Sequence, residues 1–218
     1  MKILLLGATG RTGIRIVEEA ARRGDEISAI ARDPGKLSEY QIDITRGTPY
    51  EEETVETVIA GCDAVINVLN ISRKSDNPWA SLRSPRDLIS QSAHNALTAM
   101  EQVGINRFIA LSTIGAGRSW QNIPWLLKAI VSISNLKYPF RDHGRQEEIL
   151  ENSPMDYTIC RAPMLTDDEA AAGAVATPEG TPPASRVLSR SAAAEFFLDI
   201  IEDSSHIREV IHLSNKPD

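Results

Sequence analysis

Near the start of the chain, Gly7-Ala8-Thr9-Gly10-Arg11-Thr12-Gly13 has the residue types and spacing to hold a pyrophosphate. Main-chain N–H groups at a helix start offer such an anion both donors and a favourable dipole. Gly7 would permit the tight reversal, Gly10 would let the backbone approach the phosphates, and Gly13 would let the helix pack on the strand. Thr9, Arg11 and Thr12 add polar side chains, Arg11 a cation, to the same turn. The competing explanation is an incidental glycine-rich turn. Context favours the phosphate reading, because an apolar strand precedes the run and an amphipathic helix follows it.

A second group, Ala31-Arg32-Asp33-Pro34-Gly35-Lys36, stands where a dinucleotide fold tells its two nicotinamide cofactors apart. An acid there suits a free ribose 2′-hydroxyl, whereas an arginine suits a 2′-phosphate. Arg32 offers a bidentate fork and Lys36 a second cation one turn on. The expected cofactor is therefore NADP, with NADPH preferred over NADH. Asp33 leaves alternatives open: it could serve the ribose itself or salt-bridge Arg32, and the group could be a solvated charge pair.

These residues need strands and helices to hold them. Lys2–Leu6 reads as a buried strand, Thr12–Arg23 as a helix with Ile14, Val17 and Ala21 on one face, and Glu26–Ala31 as the next strand. After a turn at Asp33–Gly35 come a weak strand over 41–45, a helix over 51–60, a strand over 63–69, a long helix over 85–103 and a strand over 107–111. The second half is less regular. It shows a helix over 141–151, strands over 156–161 and 187–189, a helix over 192–202, and a last strand over 209–213 that is expected to close the sheet. Alternation of this kind builds an α/β fold, a single doubly wound parallel sheet with helices on both faces. Residues 1–218 are expected to form one domain, with irregular loops at about 70–85, 114–138 and 163–185, the stretch 115–138 being either a long loop or a short-helix excursion.

Composition mainly excludes. With 23 Lys+Arg against 30 Asp+Glu the formal charge is −7, which argues against a general nucleic-acid binder. The apolar run Ile3–Leu6 is far shorter than the roughly 18 residues a membrane span requires. Cys62 and Cys160 are too isolated for a disulfide framework or a thiolate metal site. His94, His206 and His212 share no ligand spacing with acids, so no metal is expected. Lys2 is followed by a short apolar run and then glycine, which does not make a secretory leader, so the expected location is cytoplasmic.

Taken in order, GATGRTG, ARDPGKL, AGCDAVINVL, GINRFIALST, DHGRQEEIL, DYTICRAP and SRVLSRSAAAEFFL resemble the atypical short-chain dehydrogenase/reductases with an NAD(P)-binding Rossmann fold. The likeness is greatest to the biliverdin reductase B and flavin reductase type, with NmrA-like proteins as wider relatives. It implies a pyrophosphate on Gly7, Thr9, Gly10, Arg11, Thr12 and Gly13, and a 2′-phosphate on Arg32 helped by Lys36. It implies Val68, Leu69 and Asn70 on the adenosine and ribose side, Ser112 and Thr113 near the nicotinamide, and Pro163-Met164-Leu165 passing over it. Three departures stand out. Gly47-Thr48 replaces a common Gly-Asp pair, Ala192 follows Ser189-Arg190-Ser191 where an Asp is common, and Asp142 stands four residues after Tyr138 where many members have Lys.

Without a Tyr/Lys pair the obvious proton donor is missing. Hydride transfer to a small planar electron acceptor such as a flavin, quinone or linear tetrapyrrole needs less help, since such acceptors take a proton from solvent. Ser112 is the candidate to hydrogen-bond substrate or nicotinamide amide, or else a strand-end hydroxyl bonded to backbone. His143 is the candidate proton donor, or else a structural histidine. Trp79, Trp120 and Trp125 would either stack on the acceptor or pin loops to the body. The alternative to a reductase is a non-catalytic NADP-sensing regulator of the NmrA-like type; monomer and homodimer are both compatible with the sequence.

Overall fold

The computed structural model describes residues 1–168 and 173–217. Residues 169–172, inside the irregular stretch 163–185, and residue 218 lie outside the described residues. In chain order the elements are β1 (Lys2–Leu6), α1 (Arg11–Arg23), β2 (Glu26–Ala31), β3 (Asp43–Arg46), α2 (Glu52–Val58), β4 (Ala64–Asn67), α3 (Leu88–Val103) and β5 (Arg107–Thr113). Then follow α4 (Trp125–Ile133), α5 (Lys137–Glu151), β6 (Asp156–Ala162), β7 (Met164–Thr166), β8 (Ala174–Pro178), β9 (Val187–Ser189), α6 (Arg190–Glu202) and β10 (Glu209–Asn215).

Eight strands form the main sheet in the order β3-β2-β1-β4-β5-β6-β10-β8. All neighbours run parallel except β8, which lies antiparallel to β10 with Ile211 opposite Pro178 and Asn215 opposite Ala174. The strand order reverses between β1 and β4, the point at which such sheets leave a crevice beyond their carboxyl ends. The continuous apolar run of β1 follows from burial on both faces. Ile3 and Leu5 pack with Ile16, Val17 and Ala20 of α1 and Phe197 of α6. Leu4 and Leu6 pack on the other face with Val55 of α2, Ala93, Ala96 and Met100 of α3 and Leu150 of α5. The doubly wound, mostly parallel sheet with helices on both faces is thus present.

Three expectations are corrected. The last strand does not close the sheet; β8 caps it, supplied by the irregular Ala-Pro-Gly-rich stretch whose composition gave no strand signal. β9 leaves the main sheet and pairs with β7 in a separate two-stranded ribbon. The 115–138 stretch takes the short-helix alternative, with a 3-10 helix at Gly117–Asn122 and then α4. Finally, α5 starts at Lys137, because Pro139 in a first turn forfeits no helical hydrogen bond. Among the described residues no helix is long and apolar enough to cross a membrane.

Candidate active site

The glycine turn has the geometry its sequence implies. Gly7 sits at φ +99°, and a Cβ there would stand 3.1 Å from the Leu69 nitrogen. The Gly10 N–H donates to the Gly7 carbonyl at 2.9 Å, closing the turn. A Cβ on Gly13 would fall 2.2 Å from the Gly7 oxygen, so only glycine lets α1 sit this close beneath the loop. The first-turn N–H groups of a helix have no carbonyl four residues back, and α1 carries neither a side-chain cap nor an acid there. Its N-terminus is open to an anion.

That terminus faces a cleft of about 960 Å³ at the carboxyl ends of β1, β2, β4, β5 and β6. Gly7, Thr9, Gly10, Arg11 and Thr12 line it, as do Arg32, Lys36, Leu69, Asn70, Ser112, Thr113, Pro163 and Leu165. Two expected residues do not. Gly13 is buried under the turn, where its role is clearance for the helix. Met164 is 67% exposed and turned outward, because strand residues alternate and its neighbours Pro163 and Leu165 take the inward positions.

Arg32 and Lys36 are exposed and make no ion pair among the described residues. Asp33 neither bridges Arg32 nor lines the cleft. At the other end Arg11 and Arg190 converge on Asp167, at 3.6 Å and 2.7 Å. Arg73, Arg83, Ser84 and Arg190 also line the cleft and were missed as site residues. The first three lie in the irregular loop between β4 and α3, far from any motif. Arg190 carried a signal, as the arginine of Ser189-Arg190-Ser191.

The two candidate catalytic side chains behave differently from expectation. Ser112 is buried, and its hydroxyl donates to Glu147 Oε1 at 2.6 Å instead of bonding backbone. Glu147 in turn accepts from Arg161 Nε at 2.9 Å and Nη2 at 2.8 Å, both partners almost fully buried. Burial works against the Arg161 charge, and Glu147 and Glu179 outweigh it. With its proton committed to a carboxylate, Ser112 retains only acceptor capacity toward the cleft.

His143 lines the cleft and is 6% exposed, with no partner on Nδ1. Burial pushes it down to about 4, so at neutral pH it is a neutral imidazole. The ring is then not a charged acid, though a neutral imidazole still carries one N–H.

The departure at Asp142 also has a structural account. Asp142 is fully buried and accepts from the Ile89 N–H at 2.7 Å and the Ser90 N–H at 3.4 Å. It caps α3 from another helix, while Asp87, just before α3, makes no side-chain cap and accepts instead from the Tyr50 hydroxyl at 3.3 Å. Tyr138 does not line the cleft; Arg86 stacks on its ring at 4.4 Å. None of the three tryptophans lines the cleft: Trp79 and Trp125 are exposed, and Trp120 packs against Phe140 on the far side of α5. Among the described residues no cluster of His, Cys, Asp or Glu could hold a metal.

Residues 7–204 match the family of NAD(P)H-binding proteins. The chain belongs to this family. The orphan N–H groups of α1, with no acid to compete for them, fit the phosphates that such a dinucleotide carries. The photosystem II assembly factor Ycf39 of Guillardia theta is 30% identical over 72% of this chain, and the chain spans 45% of that protein's length. Among solved structures, the anaerobillin reductase ChuY from Escherichia coli O157:H7 superposes with a TM-score of 0.81 at 20% identity, covering 100% of both chains. A short-chain dehydrogenase/reductase from Veillonella parvula in complex with NADP gives 0.72 at 16% identity, covering 100% of this chain and 98% of that one. At these identities the structures support the fold.

Proposed function

We propose that this protein is an NADPH-dependent reductase that passes hydride to a small planar acceptor of the flavin, quinone or linear tetrapyrrole class. The observation that carries this reading is the pairing of an acid-free helix N-terminus with two unneutralised cations, Arg32 and Lys36, along one cleft. The first-turn N–H groups would hold the pyrophosphate, and the two cations the 2′-phosphate. Leu69 and Asn70 would flank the ribose, Thr113 and the Ser112 acceptor would face the nicotinamide amide, and Pro163 and Leu165 would exclude water from its face. The nicotinamide supplies the hydride when bound.

Neither candidate acid in the cleft offers a ready proton at neutral pH: the Ser112 hydroxyl is committed to Glu147, and His143 is neutral. This favours acceptors that take their proton from water. The ChuY likeness agrees with a tetrapyrrole-sized acceptor. The missing Tyr/Lys pair, with Asp142 four residues after Tyr138, supports a second reading, an NADP-sensing protein without turnover. Incubating the protein with NADPH and FMN, quinones or biliverdin, and following loss of reduced-nicotinamide absorbance, separates the two. Turnover with any acceptor supports the reductase, whereas tight NADPH binding with no turnover across the panel leaves the sensor.

A further inference from the structure

A second cavity, of about 670 Å³, lies on the outer side of α5 and shares no lining residue with the cleft. The helix itself separates the two. At about 100° per residue, the positions of Asp142, His143, Gln146 and Glu147 turn inward and are buried. The opposite face therefore presents Lys137, Phe140, Arg141, Arg145 and Glu148 to the cavity.

One wall is aromatic: Trp120 meets Phe140 edge to face, with centroids 6.3 Å apart and planes at 79°. At the base Gly117 packs on Gly144 so closely that a Cβ on Gly144 would stand 2.9 Å from the Gly117 nitrogen. Backbone thus lies on backbone there, with the Glu147 carboxylate behind it, 2.5 Å from where a Cβ on Gly117 would stand.

The rim is cationic. Lys137, Arg141 and Arg145 recur at four-residue spacing, which sets them in a row along the helix, about 6 Å apart. Arg141 and Arg145 are exposed and have no ion pair or hydrogen bond among the described residues. Nearby Arg118 shows the contrast, since it pairs with Glu151 at 2.6 Å and Glu179 at 2.9 Å. Among the described residues Glu148 is the single acid lining the cavity, in a chain whose formal charge is −7. An acidic protein has left a basic row unneutralised beside an aromatic wall.

We propose that this cavity is a binding site for a flat aromatic carboxylate, its rings against Trp120 and Phe140 and its anion on Arg141 and Arg145. Guanidinium groups take carboxylates in bidentate fashion, and a stacked ring adds contact that a simple anion lacks. The volume lies within the range of small-molecule sites. The ligand sits back to back with the cleft across α5, so it binds alongside the dinucleotide and takes no hydride.

The test titrates the full chain, saturated with NADP, with pyrene-1-carboxylate and its neutral analogue pyrene-1-methanol, reading pyrene and tryptophan fluorescence. The carboxylate is expected to bind saturably and about tenfold or more tighter than the alcohol, at equal strength with and without NADP. Arg141→Gln with Arg145→Gln is expected to abolish that preference while leaving NADP affinity unchanged, and Trp120→Ala to weaken both probes. Displacement of the probe by NADP would overturn the proposal, and so would equal binding of carboxylate and alcohol. An unchanged preference in the double variant, with NADP binding intact, would overturn it as well.

Discussion

Replacing Arg32 by Ala tests the cofactor assignment with little structural side effect. The side chain is exposed, follows β2 at the lip of the cleft, and has no ion pair or hydrogen bond among the described residues, so its removal breaks no polar contact. Folding stability is therefore expected to stay within about 0.5 kcal/mol. A hydrogen bond to a charged group contributes about 1.5–3 kcal/mol, and exposure to salt pulls an Arg32–phosphate contact toward the lower end. At about 1.4 kcal/mol per decade, NADPH should bind roughly tenfold more weakly, or up to about a hundredfold if the contact is bidentate. NADH lacks the 2′-phosphate and should be unaffected. Calorimetric titration of both cofactors into both proteins, at low and at physiological salt, measures the difference. The loss for NADPH should shrink as salt rises. Equal weakening of NADPH and NADH, or no change for either, would refute the assignment.

Three further outcomes follow from the geometry. Gly13→Ala drives a methyl into the Gly7 carbonyl and should cost about 3 kcal/mol in urea unfolding together with loss of cofactor binding; normal binding would contradict the turn geometry. His143 binds its proton more weakly folded, at about 4, than its ordinary 6.5, so the unfolded chain takes up the proton first. Stability from this group is complete above pH 6.5 and falls by about 3 kcal/mol as pH drops to about 4. His143→Gln should flatten that part of the unfolding profile, and an unchanged slope would show that the imidazole is not buried neutral. Glu147→Leu leaves the buried Arg161 charge with Glu179 alone, at 2.6 Å, and frees the Ser112 hydroxyl; a loss of about 3 kcal/mol is expected, and a neutral effect would place the ion pair in solvent.

The legible part of this protein is the part that depends on near neighbours. The run from Gly7 to Gly13 could be read because each glycine answers a requirement set within a few residues: a positive φ, a close approach, a helix packed beneath. The alternation of buried strand and amphipathic helix set the parallel sheet with helices on both faces, while the strand order and its reversal between β1 and β4 came from the structure. Arg32 and Lys36 followed from the same logic, since the end of β2 must lie beside the turn after β1. Weak local signals failed. β8 has no composition to mark it, and Met164 faces outward by one residue of strand register, which its motif could not reveal.

The sequence by itself determined that a dinucleotide-type turn stands at the mouth of a parallel sheet, because backbone geometry is a local property. Only the tertiary structure decided what the side chains in that mouth can do. Ser112 is a donor in isolation and an acceptor here, because Glu147, 35 residues away, takes its proton. His143 is neutral because the fold removes its water, and Asp142 serves α3 instead of chemistry because a second helix end arrives beside it. Arg73, Arg83 and Arg190 join the cleft, and Trp120 leaves it, through contacts that no spacing in the chain records. Protonation and hydrogen-bond commitment are set by burial and by distant partners, and those exist only once the chain has folded.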